Sequence, residues 1–249
     1  MTEATRRERL RAHTERDIRA AARRLLVGHG RDAVTLRAIA RELGITAPAL
    51  YRYYDSREDL LRQLVEDICA DLAEDLRPRL DAVPEDDVVG KVFAVFRSFR
   101  HWALAHPQEF TLVFASPEVE VNNSSRGGRK TLGEDQFGKV FLGVAGKMLA
   151  ENESLAAGNN EVPAALVDDL RGYREDLLKS LAETGVELTA DQLGLSTVYL
   201  ILQCWVRLYG HVALEVFGRF PFALNNAETL FESMIAELGR EVGLPEPTS

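Results

Sequence analysis

Residues 35–53 constrain the fold of this chain more than any other stretch of its sequence. Apolar residues recur there at three- and four-residue steps, which predicts a short helix over Leu36–Leu43 with Thr35 as its N-cap. Gly44 then favours a tight turn, and a second short helix is expected over Ala47–Tyr53. Two short helices joined so closely must pack one face against each other and leave the opposite face exposed.

The rest of the chain also carries a helical pattern. Apolar residues recur every three or four positions and strand signals are almost absent, which predicts an all-α protein. Further helices are predicted at 16–29, 57–78, 87–105, 107–114, 132–150, 163–184, 189–217 and 225–242. Polar stretches at 116–130 and around 158–160 are typical of loops. The element order predicts an N-terminal three-helix, helix-turn-helix domain followed by a larger helical domain.

Charge is unevenly divided along the chain. Residues 1–62 hold 14 arginines and 9 acidic residues, a net charge of +5, whereas the remainder holds 16 basic and 30 acidic residues, a net charge of −14. A basic region can bind phosphates although the whole protein is acidic, and the alternative is a merely solvated arginine-rich surface. We expect a flexible arginine-rich arm over 1–15 and a DNA-binding domain over 16–62.

The exposed face of the second short helix carries small residues, one basic residue and two phenols. Spacing predicts a buried set made of Ile39, Ala40, Leu43, Ile45, Leu50 and Tyr54. The side chains expected to enter a DNA groove are Thr46, Ala47, Ala49, Tyr51, Arg52 and Tyr53. Methyl groups can contact thymine, arginine can bind guanine, and tyrosine hydroxyls reach phosphates. Thr35, Arg37 and Arg57, at the starts of neighbouring helices, are expected to contact backbone phosphates.

Residues 17–61 resemble the N-terminal domain of the TetR family of bacterial regulators. The resembling residues are Thr35, Ile39, Ala40, Leu43, Gly44, Ile45, Ala49, Leu50, Tyr51, Tyr53, Tyr54, Arg57, Glu58, Leu60 and Leu61. Two of them depart from the commoner pattern, since Tyr54 replaces Phe and Arg57 replaces Lys. The resemblance implies a homodimeric repressor that a small-molecule effector releases from a near-palindromic operator in double-stranded DNA.

The resemblance also implies that residues 63–249 form an effector-binding and dimerisation domain. Helices at about 189–217 and 225–242 would form a four-helix bundle with the partner's pair, through Leu195, Val198, Leu202, Val206, Leu230, Met234 and Leu238. The segment Trp205–His211 resembles a subtype marked by Trp-x-x-Leu-His-Gly, with Tyr209 at the histidine position, and close helix packing would explain Gly210. An unknown effector is expected against Trp102, His106, Phe110, Phe114, Phe141, Trp205 and Tyr209, although such aromatic pairs are also typical of plain core.

Other functions have little support in the sequence. It contains no nucleophile elbow, phosphate loop, dinucleotide fingerprint or metal-ligand motif, so we expect no enzyme, no cofactor and no metal. Its two cysteines, Cys69 and Cys204, suggest no disulfide. The polar N-terminus and the lack of a long apolar stretch predict a cytoplasmic protein without membrane contact. The alternative within the same class is an effector-independent repressor or activator controlled by a protein partner.

Overall fold

The structure is a computed structural model that describes residues 3–115, 136–151 and 161–241. These residues form helices and turns with no strand among them, which confirms the predicted all-α class. The helices are α1 (Glu3–His29), α2 (Leu36–Leu43), α3 (Ala47–Leu50), α4 (Arg57–Asp81), α5 (Val88–Ala105), α6 (Pro107–Phe114), α7 (Gln136–Glu151), α8 (Val167–Glu183), α9 (Leu195–Val216) and α10 (Ala227–Glu241). The loops predicted at 116–130 and 158–160 lie outside the described residues.

The chain divides into two compact units, and α4 contributes to both of them. Unit 1 lies within Met1–Cys69 and His106–Arg129, and unit 2 lies within Ala70–Ala105 and Lys130–Ser249. The domain boundary expected after residue 62 therefore falls inside α4. Helix α6, which follows α5 directly in the sequence, belongs to unit 1 because it packs against α1.

Unit 1 is built around α1, which packs against both α2 and α6. Its fully buried side chains include Ile18, Ala21, Ala22, Leu26, Val34, Ile39, Leu50, Leu60 and Leu64. These residues recur at helical spacing on α1, α2 and α4, so the hydrophobic periodicity of the sequence becomes one shared core. Within this core α2 packs against both α1 and α3.

The N-terminal end of α1 differs from the prediction. The helix begins at Glu3 and not at Arg16, so residues 3–15, expected as a flexible arm, are helical. Side-chain pairs at i,i+4 spacing stabilise this extension, because Arg11 Nε lies 2.9 Å from Glu15 Oε1 and His13 Nδ1 lies 2.9 Å from Asp17 Oδ2.

Two other helix ends also differ from the prediction. Helix α4 continues past Pro78 to Asp81, because the carbonyl of Pro78 still accepts a hydrogen bond from Ala82 N at 3.2 Å. Helix α9 begins at Leu195 and not at Thr189, since the hydroxyl and amide of Thr189 both donate to Gln192 Oε1 in a separate turn.

Unit 2 is a bundle in which α9 packs against α5, α8 and α10, while α7 packs against α5 and α8. Bidentate ion pairs join its helices at Arg100–Glu215 and Arg97–Glu232, and Arg207 pairs with Glu241. A Cβ on Gly146 would lie 2.5 Å from Leu181 Cδ2, so glycine permits the close approach of α7 to α8. No helix within the described residues is long and apolar enough to cross a membrane.

Candidate nucleic-acid interface

The turn between α2 and α3 is held by backbone geometry that the sequence predicted. Thr35 caps α2, since its Oγ1 accepts a hydrogen bond from Ala38 N at 3.1 Å. Gly44 ends the helix at φ 67°, in the left-handed region that favours glycine. Ile45 N then donates to Ala40 O at 2.9 Å, and this turn leaves the Ile45 side chain exposed, contrary to its predicted burial.

The segment Ala47–Tyr54, named here the recognition segment, is anchored by its last buried residues. Leu50 and Tyr54 are buried, and Tyr54 Oη lies 3.2 Å from Arg19 Nη1, which donates to it. Arg19 also pairs with Asp67 on α4, and burial raises the pKa of Tyr54. These contacts fix which face of the recognition segment points outward.

Regular α-helix covers only Ala47–Leu50 in this segment, although the prediction extended to Tyr53. The chain continues as a tighter turn, in which Tyr53 N and Tyr54 N both donate to the carbonyl of Leu50, at 2.9 and 3.1 Å. Aromatic residues lose side-chain freedom in a helix, so Tyr51 and Tyr53 prolong it weakly.

The expected groove-facing residues divide by exposure. Thr46, Tyr51 and Arg52 are exposed, and Tyr51 keeps 58% of its surface accessible. Ala47, Ala49 and Tyr53 are half-buried. Arg37, on the first turn of α2, is exposed as well. The outward side of this region therefore carries exposed polar and basic side chains beside half-buried small residues.

Arg57 has contacts that the sequence did not reveal. Its Nε donates to the carbonyl of Val34 at 2.6 Å, and its Nη2 donates to the carbonyl of Arg31 at 2.8 Å. The guanidinium thus ties the start of α4 to the turn before α2. Two N–H donors of its guanidinium are therefore already used within unit 1. Arg57 thus has a structural role in addition to its expected phosphate contact.

Two pairings in unit 1 were also missed. Arg11 Cζ lies 5.8 Å from the centre of the Tyr53 ring, which places the α1 extension beside the recognition segment. Arg23 on α1 pairs with Glu109 on α6, whose carboxyl is buried. The Arg11–Glu15 spacing could have indicated the helical extension, whereas nothing in the local sequence indicates that Glu109 is buried.

The residues expected to bind an effector fall in different units. His106, Phe110 and Phe114 belong to unit 1, where the last two rings lie 5.3 Å apart. Trp102, Phe141, Trp205 and Tyr209 belong to unit 2.

In unit 2 several aromatic rings form a connected cluster. Trp205 lies 6.0 Å from Tyr209, 6.4 Å from Phe141 and 5.8 Å from Phe99 between ring centres. Trp205 and Tyr209 are half-buried, while Phe99 and Phe141 are buried. The cluster joins α5, α7 and α9 inside unit 2.

Two family descriptions match long parts of this chain. Residues 18–64 match the family described as bacterial regulatory proteins, tetR family, and residues 92–238 match the tetracyclin repressor-like C-terminal domain. The HTH-type transcriptional regulator Rv1816 of Mycobacterium tuberculosis is 31% identical over 225 residues, which cover 86% of this chain and 89% of that protein. The chain belongs to the TetR family. It is therefore a DNA-binding transcriptional regulator and not an enzyme, as the sequence predicted.

The chain is also similar to another curated regulator and to solved structures over most of its length. Mb1846, an HTH-type transcriptional regulator of Mycobacterium bovis, also shows 31% identity, over 86% of this chain and 89% of its own. The crystal structure of the regulatory protein SCO4313 superposes with a TM-score of 0.62 at 26% identity, over 95% of this chain and 98% of that one. A protein of unknown function from Rhodococcus sp. RHA1 shares the fold, with a TM-score of 0.54, 18% identity and coverage of 92% and 94%.

Proposed function

We propose that this TetR-family regulator is a homodimeric repressor that leaves a near-palindromic operator when a small molecule binds unit 2. DNA binding is a property of the family. The proposal adds repression as the mode of action and small-molecule release as its control. The observation that carries it is an outward-facing apolar stripe on the last two helices, because an exposed stripe of this kind suits a second copy of the chain.

The stripe runs along one face of α9. On α9, Val206 and Leu214 keep 58% and 40% of their surfaces accessible; Phe217, directly after its end, keeps 41%, and Leu230 on α10 keeps 43%. Gly210 lies between Val206 and Leu214, and a Cβ built on it has no atom within 4 Å. No close contact among the described residues requires a glycine at this position. The close approach of a partner helix would explain why glycine is present.

The seven residues expected at the dimer interface divide into three groups. Val198 and Leu238 are buried in the chain's own core. Leu195, Leu202 and Met234 are half-buried, and Val206 and Leu230 are exposed. The proposed interface therefore centres on the second half of α9, opposite the side that packs against α5 and α8.

DNA contact is assigned to the exposed side chains around the recognition segment. Arg52 and Tyr51 would reach base edges or phosphates, with Thr46, Ala47, Ala49 and Tyr53 beside them and Arg37 and Thr35 at the start of α2. Two such segments in a dimer read half-sites about 34–36 Å apart, one helical turn of DNA, or a multiple of it. This spacing is the reason for a near-palindromic operator.

The effector is assigned to the aromatic cluster of unit 2, around Trp205 and Tyr209. Apolar and aromatic side chains line most small-molecule sites, and half-buried rings offer a surface that a ligand can cover. Both tryptophans of the chain, Trp102 and Trp205, lie in this unit, so effector binding there should change the intrinsic fluorescence.

The experiment starts from duplexes that the purified protein selects from a random-sequence pool. We expect the selected duplex to be a near-palindrome, and sedimentation equilibrium should show two chains bound to it. We also expect a reporter placed behind that site to be expressed more strongly when the gene for this protein is deleted. A small-molecule screen on tryptophan fluorescence should then yield compounds that release the duplex. One chain per site, or lower reporter expression after deletion, would contradict the dimeric repressor.

A further inference from the structure

The first part of α1 projects beyond the core of unit 1. The buried residues of this helix begin at Ile18, whereas the side chains of residues 8–12 are all exposed. Residues 8–12 bury no side chain, so they are not needed to complete the fold. The two arginines among them, Arg9 and Arg11, are therefore available for a partner.

Arg11 is the residue of this extension that lies against the recognition segment. Its Cζ is 5.8 Å from the centre of the Tyr53 ring, within cation–π range, and its Nε donates to Glu15 Oε1 at 2.9 Å. Glu15 is itself tied to this region, because its backbone carbonyl accepts a hydrogen bond from Tyr54 Oη at 3.4 Å. Two contacts thus orient a side chain that remains 62% exposed.

The orientation leaves the terminal nitrogens of Arg11 available. Glu15 uses Nε, and neither terminal nitrogen makes a hydrogen bond to another described residue. A guanidinium held in this way presents its fork to solvent, and that fork matches two oxygens of a phosphate. Preorganisation by Glu15 and Tyr53 lowers the side-chain entropy that binding would cost.

We propose that Arg11 binds a DNA backbone phosphate beside the groove that the recognition segment enters, and that Glu15 and Tyr53 position it. The inference rests on the proposed placement of Tyr53 at the DNA. It replaces the expected flexible arm over residues 1–15 with one phosphate contact made by a helix.

The chain offers a matched control on the same helix. Arg9 carries the same charge, is exposed, and makes no ion pair with the described residues. At 3.6 residues per turn it lies about 160° around the helix axis from Arg11, so it faces away from Tyr53. If the phosphate contact is specific to Arg11, replacing Arg9 should leave DNA affinity nearly unchanged. If the whole extension attracts DNA diffusely, replacing Arg9 should lower the affinity as much as replacing Arg11 does.

The test measures the affinity of the full-length chain for a duplex that the wild type selects from a random pool, between about 50 and 200 mM salt. Arg11→Ala should weaken binding of the dimer at least about tenfold and reduce the slope of log K against log salt by about 1.8, because each of the two subunits loses one phosphate contact worth about 0.9. Arg9→Ala should leave both nearly unchanged. Arg11→Lys should restore the slope but only part of the affinity, because lysine lacks the fork.

Each outcome separates this inference from the proposed function. Equal weakening by Arg9→Ala and Arg11→Ala would overturn a specific Arg11 contact in favour of diffuse attraction. If Arg11→Ala leaves the affinity for DNA unchanged while Arg52→Ala lowers it, the inference is also overturned. The recognition segment then keeps its proposed contact with DNA. Failure of the wild type to select any duplex would instead contradict the proposed function. Circular dichroism melting of each variant shows that the fold is intact.

Discussion

Arg57 Nε donates to the carbonyl of Val34 at 2.6 Å, so a side chain expected to clamp DNA also holds unit 1 together. A second donor, Nη2, reaches the carbonyl of Arg31 at 2.8 Å. Hydrogen bonds from charged groups contribute more than neutral ones, and losing them leaves two carbonyls without these donors.

Arg57→Ala should therefore lower the local stability of unit 1 by about 1–3 kcal/mol. Native-state hydrogen exchange of amides in residues 31–43 measures this directly, because local opening there should become more frequent. Arg37→Ala is the control, since Arg37 is exposed on the neighbouring helix. Equal exchange in the two variants would show that the Arg57 contacts contribute nothing to the fold.

Sequence periodicity predicted the helical class and most of the buried positions of unit 1, although Leu43, expected in the core, is half-buried. Ile39, Leu50 and Tyr54 lie in its core because their spacing places them on one face. Ile45 is exposed although the same spacing predicted its burial. It follows Gly44, whose backbone is left-handed, and helical spacing no longer applies beyond that residue. The Arg57 and Glu109 contacts join residues far apart in sequence, so no local pattern could reveal them.

The inward face of the recognition segment is tested by Leu50→Ala. Leu50 is fully buried, and truncation of a buried leucine leaves a cavity that costs about 2–5 kcal/mol. Hydrogen exchange within residues 36–61 should report this loss. A change below about 0.5 kcal/mol, the usual effect of a surface substitution, would show that Leu50 is not in the core.

The proposed dimer surface is tested by Val206→Asp. A carboxylate buried between two copies would be desolvated without a partner, so dimer affinity should fall by at least about tenfold. Sedimentation velocity across a concentration series measures the shift toward monomer. Val27→Asp is a closely matched control, because Val27 on α1 is 57% exposed and Val206 is 58% exposed. Monomer formation by both variants alike would exclude an interface specific to α9.

A pH dependence is expected from His211 in unit 2. Its ring is buried against Phe220 and Phe231, and burial lowers its pKa from 6.5. The nearby Glu215 opposes this shift and Arg100 adds to it. Since the unfolded chain binds the proton more tightly, the free energy of unfolding should fall as the pH drops below 6.5.

Urea unfolding of the wild type and of His211→Gln, from about pH 7 to about pH 5, isolates this contribution. The wild type should lose stability more steeply on acidification than the variant, whatever their difference at neutral pH. Parallel pH profiles would mean that His211 keeps its ordinary pKa in the folded protein.

Arg52→Ala tests most directly whether DNA is read by the exposed face of the recognition segment. The measurement is the affinity for a duplex selected by the wild type, taken together with the melting temperature of each protein. The predicted result is a loss of about 1–3 kcal/mol in binding free energy per half-site with an unchanged melting temperature, because Arg52 is exposed. Wild-type affinity in the variant, or its unfolding, would contradict the assignment of this face to DNA.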